Sequence, residues 1–409
     1  MNYMSNIQIT IKRNLRLKNL FLLVFISLLF ACKSEKVLAP EPVYNFTKLD
    51  STITSLYNNS EIPGFSLVVV NNEKIIFQKS LGYADISTQK SFTNNTLQNI
   101  GSVSKTFIAL AVMKAVDLRK VKLDENINTY LPFKIVHPLF PDSAITLRNL
   151  SNHTAGINDG DIYFKSYIVD NPSQNHPLLP AEVQEYFSFM KLNKDIDDSE
   201  FLKNILVKKE IWYSEDNFTK DAPGEKFEYS NIGATLAAFV IESAMGITYE
   251  DFTKQYIISP LQMNQTGWES SQINSANFVT RYFSKELIVP DYHLITKADG
   301  GLLTSTTDFG KYLIEILNGA NGNGTLLTKN SYKEMFTKKV IGERSFGIFW
   351  SIEDNGNLTH DGSDPGIAAN CIIKKDKNIA YFLMTNISSE ISQVHVPALL
   401  EISKKLDEI

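Results

Sequence analysis

The sequence predicts an α+β fold, in which one antiparallel sheet is flanked by helices and carries an inserted all-helical lobe. Strand-like runs lie at both ends of the chain, helical patterns fill the middle, and no repeat of solenoid period is present. At roughly 150 residues per domain, the 409 residues suffice for about two or three domain-sized units, or for one intertwined two-lobe unit. A content of 43% apolar, 21% charged and 11% aromatic residues is that of a globular core and excludes disordered and fibrous classes.

The elements follow in order. Residues 1–31 hold Lys12, Arg13, Arg16 and Lys18 and no acid, then the apolar run Leu20–Phe30. That pattern is a secretory signal peptide, too short for a bilayer span of about 20 residues. Its end, Leu29-Phe30-Ala31-Cys32, resembles a bacterial lipobox. The resemblance implies cleavage before Cys32 and its lipidation, anchoring the exported protein in the cell envelope at the periplasmic face or the outer membrane. An ordinary cleaved signal with an incidental cysteine is the alternative. Residues 32–42 then form a tether, and 43–409 a single globular domain.

Within that domain, Phe46, Leu49, Ile53, Leu56 and Tyr57 recur at helical spacing until Pro63-Gly64 stops them. Phe65–Val70 and Lys74–Lys79 around Asn71-Asn72-Glu73 read as a hairpin. Helical patterns occupy Thr106–Leu118, Ala181–Met190, Glu200–Ile211, Ala234–Met245 and Thr307–Leu317. Toward the end, Ser345–Ser351, Leu358–His360, Ala369–Lys374 and Ile379–Thr385 are strand-like, with turn clusters at Asp354–Asn357 and Lys375–Asn378, as in an antiparallel meander. Ile391–Ile409 reads as a terminal helix whose first part Pro397 disturbs. The polar stretch Asn158–Asp221 is read as an insertion shaping a cleft edge or as a solvated loop.

Charge and cysteine content restrict function. Lys and Arg number 40 against 45 Asp and Glu, or −5; without the four leader cations the balance is 36 against 45, or −9. So acidic a body lacks the cationic surface that phosphate backbones require, which argues against nucleic acid as a partner. The cysteines are Cys32 and Cys371, and the latter sits in an apolar strand-like run as a buried inert thiol. The six histidines are scattered, no Cys/His cluster has zinc spacing, and no cofactor is implied.

The chemistry centres on Gly101-Ser102-Val103-Ser104-Lys105-Thr106, which opens onto the apolar run Phe107–Met113. Residues three apart share a helix face, so the Ser102 hydroxyl and the Lys105 amine can meet. A serine nucleophile needs a base, and an amine serves only if desolvation or positive charge lowers its pKa; an all-apolar helix is expected to do so. Ser87/Lys90 and Ser188/Lys191 also fit Ser-x-x-Lys, so context must separate them. Downstream, Tyr229-Ser230-Asn231 precedes an apolar helix, while Tyr57-Asn58-Asn59 repeats Tyr-x-Asn in a structural setting. A tyrosine hydroxyl beside an ammonium can be held partly as phenolate, and an amide two residues on can donate and accept. His360-Asp361-Gly362-Ser363 ends a strand-like segment, with Gly362 allowing close approach to the backbone.

This ordered set resembles the serine β-lactamase-related hydrolases, a family including class C β-lactamases, D-alanyl-D-alanine carboxypeptidases, D-aminopeptidases and serine esterases. Further landmarks are Ile62–Gly64, Leu81–Asp85, Ile145–Gly156, Pro260–Met263, Gly300 through Asp308 and His360–Gly366. The resemblance implies a β-lactamase/transpeptidase-like fold with Ser102 as acyl-accepting nucleophile, Lys105 as its proton partner and Tyr229 as general base. It further implies Asn231, His360 and Gly362 as positioning groups, the backbone N–H groups of Ser102 and Ser363 as oxyanion hole, and His153 in a supporting loop. Where dedicated β-lactamases carry the lysine of Lys-Thr-Gly, this chain has His360, mostly neutral at pH 7 when unperturbed. The expected activity is therefore serine hydrolysis of amide, ester or lactam acyl groups, carboxypeptidase-like or esterase-like in preference. A class C-like β-lactamase and a penicillin-binding sensory lipoprotein that acylates without turnover are the alternatives. A small-molecule or peptide substrate is implied; oligomeric state is not.

Overall fold

A computed structural model describes residues 45–173, 179–273, 275–388 and 393–409. The expected signal peptide, Cys32 and the whole tether fall outside the described residues, as does the start of the expected terminal helix. Helix α1 (Phe46–Asn58) buries Leu49 and Ile53, and its Phe46 ring stacks on Phe77 at 5.2 Å. The apolar run that follows forms β1 (Gly64–Val70), buried throughout. The Asn71 side chain accepts from the N–H groups of Glu73 and Lys74, turning the chain into β2 (Ile75–Asp85). Strand β2 runs six residues beyond the predicted hairpin, because Phe65↔Leu81 and Gly64↔Gly82 continue its ladder with β1. The short β3 (Lys90–Ser91) pairs with its far end.

The remaining strands of this sheet come from the C-terminal third: β4 (Lys339–Ile341), β5 (Arg344–Phe346), β6 (Ser351–Ile352), β7 (Leu358–Asp364), β8 (Ile367–Lys374) and β9 (Ile379–Thr385). The order is β4-β5-β6-β7-β8-β9-β1-β2-β3. The β1–β9 seam, antiparallel from Phe65↔Thr385 to Val70↔Ala380, joins the two ends of the chain as the sequence predicts. Two strand expectations are corrected. Ser345–Ser351 is not one strand, since Phe349 takes a positive φ of 51° and the N–H of Gly347 donates to the Trp350 carbonyl across the break. His360 does not end a strand, since pairing with β8 runs on to Asp364↔Ile367. Strand β6 reaches β7 only at Leu358 and Thr359, so residues 360–364 face the helical lobe along an edge without a strand neighbour among the described residues.

Between these ends lie α2 (Lys105–Asp117), α3 (Leu147–Ser151), α4 (Ala181–Met190), α5 (Asp198–Leu206), α6 (Asn231–Met245), α7 (Tyr249–Thr253), α8 (Lys297–Gly300), α9 (Thr306–Ala320) and α10 (Lys329–Met335). Strand alternation assigns faces: Phe382 of β9 stacks on Phe309 of α9 at 4.0 Å, while the neighbouring Tyr381 hydroxyl donates to Asp407 of α11 (Val396–Asp407). Helix α2 is buried from Lys105 through Met113 and joins α9 through the Phe107–Tyr312 stack at 4.4 Å. Pro397 stands in the first turn of α11, where its missing N–H is unneeded, so it starts that helix and does not disturb it.

The described residues of Asn158–Asp221, which leave out 174–178, are a folded part of the lobe, which removes the solvated-loop reading for them. Its strand Tyr167–Val169 pairs with Tyr292–Leu294, and α5 buries Phe201, Leu202 and Ile205. The predicted Glu200–Ile211 helix is displaced to α5, with acids in its first turn, and it stops where Val207 turns extended. Cys371 is fully buried, and burial pushes its thiol up, as expected of an inert core residue. No single helix among the described residues is long and apolar enough to cross a membrane.

One buried carboxylate ties the far side of this core together. Glu315 of α9 accepts from the N–H and hydroxyl of Thr325, the N–H of Leu326 and the hydroxyl of Tyr332 in α10. Glu315→Ala strands these donors and is expected to lower stability by about 3 kcal/mol, read as a lower midpoint at unchanged slope in urea unfolding.

Candidate active site

Ser102 lies in a single 3-10 turn, Gly101–Ser104, that runs directly into α2. The i, i+3 spacing brings the Lys105 Nζ within 3.0 Å of the Ser102 Oγ. The same Nζ donates to the Asn231 Oδ1 at 2.7 Å and to the Asp299 backbone carbonyl at 2.7 Å. Three acceptors for three ammonium hydrogens is the coordination a buried lysine cation requires. The competing Ser-x-x-Lys at 87–90 does not close: the Ser87 hydroxyl donates to Asp85, and Lys90 donates to the carbonyls of Ala276 and Phe278. The second Tyr-x-Asn is likewise structural, with the Tyr57 hydroxyl donating to the Pro63 carbonyl.

The charge on Lys105 is where the structure departs from expectation. Burial disfavours the cation, but Tyr229 and Asp299, followed by Asp159, outweigh it and hold the amine above the ordinary lysine value. The apolar helix seen in sequence does not depress it, because the electronegative neighbours come from other segments. While it stays protonated and donates to the Ser102 Oγ, Lys105 has no lone pair with which to take the serine proton.

Tyr229 and Asn231 flank Ser230, the cap of α6, whose Oγ accepts from the Gly233 N–H. Asp159 reaches this helix end from the inserted segment. It accepts from the Ser230 hydroxyl at 2.7 Å and from the N–H groups of Asn231 at 2.7 Å and Ile232 at 3.0 Å. A carboxylate there also meets the positive end of the helix dipole. Tyr229 is 38% exposed at the cleft while Lys105 is fully buried, with its Nζ 5.2 Å from the tyrosine ring centre. Beneath the ring, His153 stacks at 4.4 Å and accepts from the Ser230 N–H through Nδ1. Burial, then the Lys105 charge, lowers the His153 pKa well below the usual value, so the ring is a neutral platform in the supporting loop the sequence assigned to it.

The edge of β7 closes the site from the sheet side. A Cβ on Gly362 would stand 2.1 Å from the Ile100 carbonyl and 3.1 Å from the Ser102 nitrogen, and one on Gly101 would stand 2.8 Å from the Ser363 nitrogen. The two glycines therefore let the strand approach the serine turn, with the Ser102 and Ser363 nitrogens beside that contact. His360 precedes them on the same edge, half-buried. Loss of hydration, followed by the Lys105 charge, pushes its pKa down to about 4. Its Nδ1 lies 2.8 Å from the Asp361 carbonyl, which can only accept, so Nδ1 carries the proton and Nε2 presents a lone pair. At neutral pH this position offers an acceptor and no positive charge.

The structure thus gathers Ser102, Lys105, Tyr229, Asn231, His360, Gly362 and Ser363 at one place. It adds acids that sequence reading missed. Asp299 is 1% exposed, and its carboxylate accepts from the Tyr163 hydroxyl and the Thr235 hydroxyl, each at 2.9 Å. Burial raises its pKa to about 6, against the lowering effect of Lys105 and its hydrogen bonds. The adjoining glycines were visible as a landmark, but the acid before them carried no signal of its own. A cavity of about 1260 Å3, lined by Gln98, Asn99, Trp268, Lys297 and Gly301 among others, includes none of Ser102, Lys105, Tyr229 or His360. No group of acids, histidines or cysteines able to hold a metal ion occurs among the described residues.

Comparisons with known proteins bear on the family and the fold. The Beta-lactamase family model matches residues 49–402. Protein flp of Staphylococcus aureus (strain MW2) is 21% identical over 362 residues, covering 87% of this chain and 65% of the relative, so the chain spans just under two thirds of that relative's length. An octameric penicillin-binding protein homologue from Pyrococcus abyssi superposes with a TM-score of 0.66 at 24% identity, covering 88% of this chain and 78% of the other. A beta-lactamase/D-alanine carboxypeptidase from Pseudomonas syringae gives 0.63 at 16% identity, covering 88% and 99%. At these identities the structural likenesses establish the fold, and the family model establishes membership: the chain belongs to the Beta-lactamase family, whose members include serine hydrolases.

Proposed function

We propose that this chain is a serine hydrolase that cleaves amide, ester or lactam acyl groups through a covalent acyl-Ser102 intermediate. The observation that carries the proposal is the fully engaged Lys105 ammonium, which presents the Ser102 Oγ and leaves proton transfer to a neighbour. Tyr229 is that neighbour. Acting as phenolate beside the Lys105 ammonium, it takes the Ser102 proton as Oγ attacks the acyl carbon, then returns it to the leaving group; in deacylation it takes a proton from water and returns it to Ser102, which restores the phenolate. The Ser102 and Ser363 N–H groups hold the oxyanion, at about 3 kcal/mol per donor in comparable sites. Asn231 positions the ammonium and the substrate amide.

The substrate preference rests on His360. A neutral acceptor with a pKa of about 4 offers a substrate carboxylate no ion pair at this edge. Esters and amides without a free carboxylate at this edge are therefore favoured, esterase-like before carboxypeptidase-like because a D-Ala-D-Ala peptide carries a C-terminal carboxylate, with a class C-like activity secondary. The likeness to a protein described as a beta-lactamase/D-alanine carboxypeptidase supports keeping the carboxypeptidase-like and class C-like activities within the range. The leader sequence supports export and anchoring through a lipid on Cys32.

Intact-mass spectrometry with a p-nitrophenyl ester, a D-Ala-D-Ala peptide and a chromogenic cephalosporin tests the mechanism. A transient adduct with product release is expected, abolished by Ser102→Ala; turnover retained in that variant contradicts the mechanism, and a persistent adduct identifies a binding protein without turnover. Tyr229→Phe is expected to lower kcat by about 10²-fold or more in steady-state assays. His360→Lys is expected to shift kcat/KM toward carboxylate-bearing substrates, measured as the ratio of cephalosporin to ester.

A further inference from the structure

The inserted segment 161–169 reaches both halves of the site through two tyrosines four residues apart. The Tyr163 hydroxyl donates to the Asp299 Oδ1 at 2.9 Å, and the Tyr167 hydroxyl to the Asp364 Oδ1 at 2.6 Å. The two rings meet edge to face at 5.9 Å, and all four side chains are buried. Asp364 directly follows Ser363 on β7, and Asp299 offers its own carbonyl to Lys105. The two acids are close neighbours: a Cβ on Gly300 would stand 3.1 Å from the Asp364 Oδ2. The second oxygen of Asp299 holds Thr235, one turn beyond Asn231 on α6. One carboxylate therefore fixes both the carbonyl and the helix that supply Lys105 with acceptors.

We propose that Tyr163 and Tyr167, acting through Asp299 and Asp364, are a positioning clamp that sets Lys105 and the Ser363 strand in register for acyl transfer, with Asp299 supplying the counter-charge of the Lys105 ammonium. The proposal rests on the serine-hydrolase reading above and makes the insertion a working part of the site. A buried acid with no negative duty would be replaceable by an amide, since its hydrogen bonds come from neutral hydroxyls. A carboxylate beside a buried ammonium is instead the charge that makes the cation tolerable. The charged and titratable groups around Asp299 are Lys105 from α2, Tyr163 and Asp159 from the insertion, and Asp364 from β7. Those around Lys105 include also Tyr229, His153 and His360. Tyr163 and Tyr167 are both held well above the ordinary phenol value, first by burial and then by these carboxylates, so they act as donors at any working pH.

The test is the pH profile of kcat/KM for p-nitrophenyl ester hydrolysis by the wild type, Ser102→Ala, Asp299→Asn, Tyr163→Phe and Tyr167→Phe, with thermal melts run in parallel. The wild type is expected to show an acid limb near pH 6, where Asp299 loses its charge. Asp299→Asn is expected to remove that limb, move the alkaline limb to lower pH as Lys105 loses its counter-charge, and lower kcat/KM at least about tenfold. Tyr163→Phe leaves the acid in place but withdraws a hydrogen bond, so the acid limb is expected to move up in pH; this variant decides the matter if Asp299→Asn fails to fold. Tyr167→Phe is expected to reduce kcat several-fold with KM unchanged. A purely structural role would lower melting temperature and amplitude and leave the limbs in place. If the wild type turns over through Ser102 and the profiles of Asp299→Asn and Tyr163→Phe superimpose on it after scaling, the clamp is overturned and the hydrolase reading stands; if hydrolysis survives Ser102→Ala, both are overturned.

Discussion

A buried ammonium is the constraint on which this molecule is built. Removing the Lys105 charge from water carries a penalty of several kcal/mol unless every N–H finds an acceptor and an opposite charge lies near. Its acceptors come from its own helical turn, from the start of α6 and from the Asp299 carbonyl. Each is held in turn by something else: the Ser102 turn by the glycine contact with β7, Asn231 by the Ser230 cap and Asp159, and Asp299 by Tyr163 and Thr235. Sheet, lobe and insertion meet where they do because the cation needs all of them.

Holding the lysine charged shapes the electrostatics of everything nearby. Both neighbouring histidines are driven neutral, His153 as a platform under Tyr229 and His360 as an acceptor on the cleft edge. The cleft thus combines a deep positive charge, fully engaged with protein, and a polar edge without a cation at position 360. This division of labour underlies the preference for substrates lacking a carboxylate at this edge that we propose.

What the sequence made legible was local. Periodicity placed α4 to the residue, strand β9 to the residue, and α1, α2, α6 and α9 to within a few positions, because each pattern lies within one element, while the short α3, α7, α8 and α10 carried no pattern that was read. The meeting of the two ends in one sheet was legible because both ends were strand-rich. The Ser-x-x-Lys and Tyr-x-Asn contexts were legible because helix spacing and capping are short-range. The break between β5 and β6 was missed because the positive φ of Phe349 is a tertiary feature. The direction of the Lys105 shift was missed for the same kind of reason. Its apolar neighbours are adjacent in sequence, whereas Asp299 is 194 residues away and Asp159 belongs to a segment that composition alone left ambiguous.

The most direct measurement is the charge state of Lys105 itself. Protein labelled with 15N at lysine Nζ, with the Lys105 signal assigned by its loss in Lys105→Arg, would be followed by NMR from about pH 5 to about pH 10. The account requires an ammonium shift, with slowed hydrogen exchange from three engaged N–H groups, that persists to the alkaline end of the range. A Lys105 signal that titrates to the neutral amine near or below pH 8 would contradict it, and would return the role of base from Tyr229 to the lysine.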